Sequence, residues 1–552
     1  MSYAFPKAIK ELNSVSFPLV LAVELNDTDV DRMLPSLLER AVKMGRASAS
    51  KTDTGSYSEL LKQLANSPDV EGFSDERGLD VLDGWLRTSV VRMGTVGLKR
   101  VGEQMDFVVP LSLAAYRSGL PKLRSRNRKA DVLVYEVMKI ARAQSAGVGG
   151  DARRDIQQLF ERTLGHGVNL GAAMYAKPSY DGKSEMDINS LLELRFLEKF
   201  PESITGSKDI NKSEEEYSLM GALMPLGADP LRLLEVFGEG WSESELISGL
   251  AAVLSLRLYQ LPLRSAIAIQ QLQSGQLAPD VNPENDINTL EIYCDFTGIR
   301  GGPSDELARL CVARDLELMR KFLTDRIRLR AVNLSAAMTS SHKSVSDLAP
   351  AERLAKLVAI ADDPEINMAM LMQLRQFESL LGESPETLEV RNLISNLDNA
   401  GISGTEQLTA VLLDGLRKRG LENQVKWMWS TGGLVNKGPD KPYSLLKGSL
   451  RHKSSWRYAP SEELLVVLLS MCFIEESGKL AGRLPLLEVL ARLKKQFGIL
   501  ISEPPSSLDS ADARSGASDN LRAFTSQLQL MGCFVGLSDD FSAQFVYPPR
   551  ER

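Results

Sequence analysis

Apolar residues recur at three- and four-residue spacing along most of the chain, and period-two alternation is confined to short stretches. The pattern therefore predicts a mainly α, multidomain protein. Its clearest stretch is 291–332, where a short apolar segment and a glycine-rich turn lead into a long helix. Leu307, Cys311, Val312, Leu316, Met319, Leu323 and Ile327 form one buried stripe of about seven turns. Ser304 stands before Asp305 and Glu306, so its hydroxyl is expected to cap the helix while the two carboxylates oppose the helix dipole.

Four regions follow from the same pattern. Residues 1–150 read as a small mixed α/β part, with the compact apolar run 16–25 as a buried strand, helical spacing over 27–44 and a polar loop over 47–57. Residues 151–335 read as helical, with a polar insertion at 202–216. Residues 336–458 are again helical, with helices expected over 354–381 and 386–418 and a basic, aromatic loop at the end. In 459–552, Ser461 starts one helix, Pro485 a second and Ser518 a third, and strands follow at 534–537 and 541–547 around a turn at 538–540. Three helices followed by a hairpin is the order of a winged helix, so an α+β winged-helix-like domain is expected there, an α+β lid being the alternative.

Composition narrows the class. At 552 residues the chain is too long for one core, and 43% hydrophobic with 25% charged residues is ordinary for a soluble protein. A net charge of −7 excludes a general polycation, so any nucleic-acid contact must be local. Cys294, Cys311, Cys472 and Cys533 form no paired spacing and there are three histidines, so free thiols are expected and no metal or cofactor is. With no apolar leader and no uninterrupted membrane-length apolar run, a cytoplasmic protein without membrane contact is expected.

The chemistry is sparse. Gly182, Lys183 and Ser184 end like a phosphate-binding loop, but the position that needs glycine is Lys177. His166, His342 and His452 have no nucleophile in a recognisable setting. Asp280, Asp286, Glu291 and Asp295 cluster loosely without the lysine that would complete a metal-dependent nuclease. No enzyme is therefore expected, and a cryptic nuclease stays as the minor alternative. Cations, by contrast, gather in three places. Lys122, Arg124, Arg126, Arg128 and Lys129 stand without interleaved acids. Arg320, Lys321, Arg326 and Arg328 crowd the end of the long helix. Lys447, Arg451, Lys453 and Arg457 surround Trp456. Cations that hold phosphates beside an aromatic face that stacks on bases are what a nucleic-acid surface needs, so these fourteen residues are the candidate contacts with double-stranded DNA. Glycines 301 and 302 add a second place where an anion can approach helix amides, or form only a tight turn.

Residues 433–465, 531–549 and 291–323 resemble accessory, non-ATPase proteins of bacterial antiphage defence islands linked to DNA modification, of the methylation-associated or phosphorothioation-dependent type. The resemblance implies a subunit of a multi-protein complex acting on foreign DNA. Its partners would be encoded in the same operon, a HerA-type ATPase among them, and the resemblance transfers no catalytic residue. The expectation is a DNA-binding or scaffold subunit, the alternative a protein-interaction subunit that never touches DNA.

Overall fold

The computed structural model describes residues 17–28, 30–46, 57–66, 71–97, 104–110, 128–146, 151–169, 179–186, 188, 191, 194, 217–276, 290–382, 385–416, 418–435, 439–536 and 544–549. The loop expected at 47–57 apart from Tyr57 (which starts a helix), the insertion at 202–216, the turn at 538–540 and Lys122, Arg124, Arg126, Asp280 and Asp286 lie outside them.

The described chain is mainly helical with short strands, as the periodicity predicts. At its centre is the helix Glu243–Gln273, started by a capping box between Ser242 and Glu245. By length and composition it could cross a membrane, but 94% of its most apolar window is buried inside the protein. Several of its buried polar residues explain why it is a core helix, since they bond to neighbouring elements. Ser255 donates to Thr431 O (2.5 Å), and the Trp427 indole donates to Leu258 O (2.8 Å). Gln260 donates to Phe497 O (2.6 Å). Arg257 pairs with Asp229 (2.5 Å), donates to Gln496 O (2.7 Å) and lies over the Phe497 ring. Buried polar groups satisfied in this way fix which elements may pack on the helix. Met220–Phe237, Pro303–Met338, Lys418–Thr431 and Glu462–Cys472 all do.

The second organising element is the helix Pro303–Met338, 36 residues and so about ten turns rather than seven. It runs unbroken across residue 335, and Met319, Phe322, Leu323, Ile327 and Val332 sit in the core. Strand Ile292–Tyr293, just before it, pairs in parallel with Ile499–Leu500 and so ties its start to the C-terminal part.

Several local expectations are corrected. The described residues 17–25 form no strand: Val20 and Leu21 both donate to Phe17 O (3.0 Å each), which closes a compact buried turn. Ser304 does not cap the long helix. Gly302 holds the cap position with Pro303 at the first turn, a place where proline's missing N–H costs nothing. The helix expected over 354–381 is two, Pro350–Ala359 and Pro364–Leu380, because Asp363 caps a new start ahead of Pro364. The last long helix begins at Ala511 under a Ser510 cap, eight residues before the expected one at Ser518.

In the C-terminal part the described order is helix Glu462–Cys472, strand Leu484–Pro485, helix Leu486–Phe497, the strand Ile499–Leu500 paired outside this part, helix Ala511–Leu530, and strands Phe534–Gly536 and Gln544–Val546. The last strand lies in the middle of a three-stranded antiparallel sheet, paired with Phe534–Gly536 on one side and Leu484–Pro485 on the other.

Candidate nucleic-acid interface

The basic, aromatic stretch near residue 450 folds as a β-hairpin, Leu446–Ser449 against His452–Tyr458. Leu446 faces Tyr458, Lys447 faces Arg457 and Ser449 faces His452, with a register shift between Lys447 and Ser449. Gly448 occupies the irregularity at φ +143°, and a Cβ there would stand 2.7 Å from Ser455 O, so a side chain is excluded by contact.

Alternation along the second strand separates anchor from exposed tip. Trp456 and Tyr458 point inward and are wholly buried. The Trp456 indole donates to Ser449 O (2.8 Å), bracing the hairpin across itself. The Tyr458 hydroxyl donates to Asp315 on the long helix (2.6 Å) and shares a hydrogen bond with the Tyr259 hydroxyl (2.8 Å). Arg314 completes this chain, donating to Asp315 (2.9 Å) and to Glu291 O (2.7 Å). Burial pushes the Asp315 carboxyl above the ordinary range against the pull of Arg314, and burial likewise raises the Tyr458 phenol. Arg457 reaches Asp305 (3.2 Å), which is also held by Arg309 (2.8 Å) and by the Gly301 N–H (3.0 Å).

Asp295 and Ser304 belong to the same buried layer. Ser304 Oγ donates to Asp295 (2.7 Å) and bonds the Tyr293 hydroxyl (2.9 Å), while Thr297 donates twice to the same Asp295 oxygen, from its N–H (3.1 Å) and its hydroxyl (2.7 Å). Glu291 accepts from the Ser506 N–H (3.0 Å) and hydroxyl (2.8 Å). These carboxylates serve the joint between the long helix and the C-terminal part, and the described residues hold no group of three acidic, histidine or cysteine side chains that could share a metal. Lys183 and Ser184 donate their N–H groups to Asp181 (2.8 and 2.9 Å), a local turn.

Outside this anchored base, Lys447, Arg451, His452 and Lys453 are exposed, and none has a carboxylate within ion-pair distance among the described residues, although Lys447 stands near enough to Asp440 to draw its carboxyl down against the larger upward push of burial. Lys441, slightly earlier, is already taken by Asp31 (2.5 Å).

The other candidate contacts are mostly occupied. Arg128 pairs with Glu24 (2.9 Å) and Asp27 (3.1 Å), and both it and the exposed Lys129 have left-handed backbone, φ +52° and +65°. Arg320 pairs with Glu317 (2.8 Å) and Arg328 with Asp362 (2.6 Å). Lys321 stands near enough to Asp325 to draw its carboxyl down, against the larger upward push of burial. Two candidates are corrected outright. Arg326 is 1% exposed, its guanidinium over the Phe322 ring, and burial lowers its pKa to about 10, so it offers nothing to a phosphate. Trp456 has no open face for a base. The aromatic interleaving that suggested stacking is core packing, and its sequence cue is visible afterwards: Trp456 and Tyr458 alternate with Arg457 on one strand.

No curated protein matches the chain. Over residues 10–550, nearly its whole length, it matches the family described as methylation-associated defense system protein MAD7, and it belongs to that family.

Proposed function

We propose that the chain is a non-catalytic, cytoplasmic subunit of a methylation-associated defence complex, and that it helps hold the complex on duplex DNA through the tip of the 446–458 hairpin. The observation that carries this is the tip itself. In a chain of net charge −7, Lys447, Arg451, His452 and Lys453 are exposed together within seven residues of a rigidly anchored hairpin, whereas Arg128, Arg320 and Arg328 are paired with carboxylates and Arg326 is buried. Open cations on a fixed base match a phosphate backbone, which is read by position and not by sequence.

The C-terminal element order supports a winged helix, with Ala511–Leu530 in the place of the recognition helix. That helix is poorly disposed to enter a groove. A Cβ on Gly516 would lie 2.8 Å from Ser304 N, so its first half is pressed on the long helix. Its outward Arg514 and Arg522 are paired with Asp509 and Asp519. In this reading the domain braces the hairpin and faces protein partners of the same operon, a HerA-type ATPase among them, and the scaffold role accompanies the DNA contact.

The test is binding of a labelled 30-base-pair duplex by the full chain, alone and with its co-expressed partners, over a salt series. Three lysine or arginine contacts give a log–log salt slope of about −2.7. Lys447→Glu, Arg451→Glu and Lys453→Glu together are expected to abolish binding without changing the fold. Co-purification with partners but no duplex binding at low salt would leave the protein-interaction reading in its place.

A further inference from the structure

Three methionines stand open at the end of the long helix and on a helix that follows it: Met338 at 66%, Met368 at 56% and Met372 at 67% exposure. Met368 and Met372 are one turn apart on Pro364–Leu380, whose opposite face already buries Ile366, Met370, Leu374 and Phe377. The helix is thus apolar on two sides, and only one is needed for its own packing. Gln373 donates to Ser335 (3.0 Å) and Ser341 bonds Glu365, so this helix runs alongside the end of the long helix that carries Met338. Leu380 on the same helix and Leu388 on the next, Pro385–Asn399, are also 47% and 57% exposed.

Charge says what fits it. Residues 338–400 hold ten Asp and Glu against five Lys and Arg, a net −5 within the chain's −7. Of these cations, Arg353 donates to Asn333, Arg375 to Glu378 and Asp398 at the surface, and Arg391 to Leu381 O, while Lys343 and Lys356 are exposed. Asp347, Glu352 and Glu365 are exposed. Unbranched, polarisable methionines accommodate varied apolar side chains, and an acidic rim selects a basic partner.

We infer that this face docks an amphipathic helix with lysine or arginine along its flanks, supplied by a partner protein. This contact is separate from the hairpin and does not need DNA.

The test uses the full chain and a fluorescein-labelled 18-residue peptide with leucines at i, i+3, i+4 and i+7 and lysines elsewhere. Two controls accompany it, a peptide of the same composition with leucines at every second position and one with glutamate in place of lysine. The helical lysine peptide is expected to bind, and neither control is. The pair M368Q and M372Q, on an exposed helix face where glutamine keeps helix propensity, is expected to weaken binding about tenfold, a 1.4 kcal/mol difference. Equal binding of the alternating control, or no effect of the two substitutions, overturns the inference. So does a concentration-dependent dimer that M368Q and M372Q abolish, since the occupant is then a second copy of the chain.

Discussion

Arg326 carries a sharp expectation at the scale of a single residue. Its Nε and Nη1 have no hydrogen-bond partner, and the Phe322 ring is the compensation in view. Its folded pKa of about 10 lies below the ordinary 12.5, so the proton is held less tightly in the folded state. The desolvation cost is then fully present at neutral pH, where the group is charged, and is relieved as pH rises through about 10. Arg326→Met is expected to stabilise the protein by about 1–3 kcal/mol at pH 7.5, with the gain shrinking above pH 10. Denaturant melts at the two pH values check it, and a loss of stability at pH 7.5 would mean the charge has a partner. The four thiols give a second expectation. All are buried, and burial raises each pKa, Cys311 to about 12. An aromatic disulfide reagent should find no reactive thiol in the folded protein and four after unfolding. At this scale the sequence was a fair guide to the thiols and a poor one to the cations. A run of lysines and arginines shows charge density, but whether each meets a carboxylate depends on residues far away, as Arg457 meets Asp305 and Arg128 meets Glu24.

Among elements, helices were legible where a three- and four-residue stripe coincided with a cap or a proline. Glu462–Cys472 under Ser461 and Leu486–Phe497 after Pro485 both stand where the pattern places them. The failures have local causes. Ser304 and Ser518 resemble caps in sequence, but one hydroxyl is claimed by Asp295 and the other lies within a helix already started by Ser510. The 446–458 hairpin looked like a loop because Gly448 and the register shift break its alternation. The contact between the two long helices at Gly516 was not visible, since nothing local marks a glycine chosen for close approach. It is nevertheless testable. Gly516→Val places carbons against Pro303 and the Ser304 amide, and is expected to cost about 1–3 kcal/mol and lower the melting temperature. A variant as stable as the parent would mean the helices are not pressed together.

For the whole molecule, the account rests on a division between anchored and open charge. Glu243–Gln273 and Pro303–Met338 form the frame, Asp305 and Asp315 fasten the hairpin to it, and Glu291 with the strand Ile292–Tyr293 ties the C-terminal part to its start. Of the cations that made the long helix look like a phosphate site, Arg320 and Arg328 are paired with Glu317 and Asp362, and Arg326 is buried. The hairpin tip stands open on one surface and the acidic, methionine-bearing face on another. The mainly helical class was legible from periodicity, but this division was not, because it arises only when distant segments meet.

The most direct measurement is the salt dependence of duplex binding by the full chain, compared between the parent and the triple glutamate variant of Lys447, Arg451 and Lys453. The account expects affinity in the parent to fall about sixfold for each doubling of salt, and no detectable binding by a variant with an unchanged melting temperature. Parent and variant binding equally, or a parent that does not bind duplex at low salt even with its partners, would contradict it.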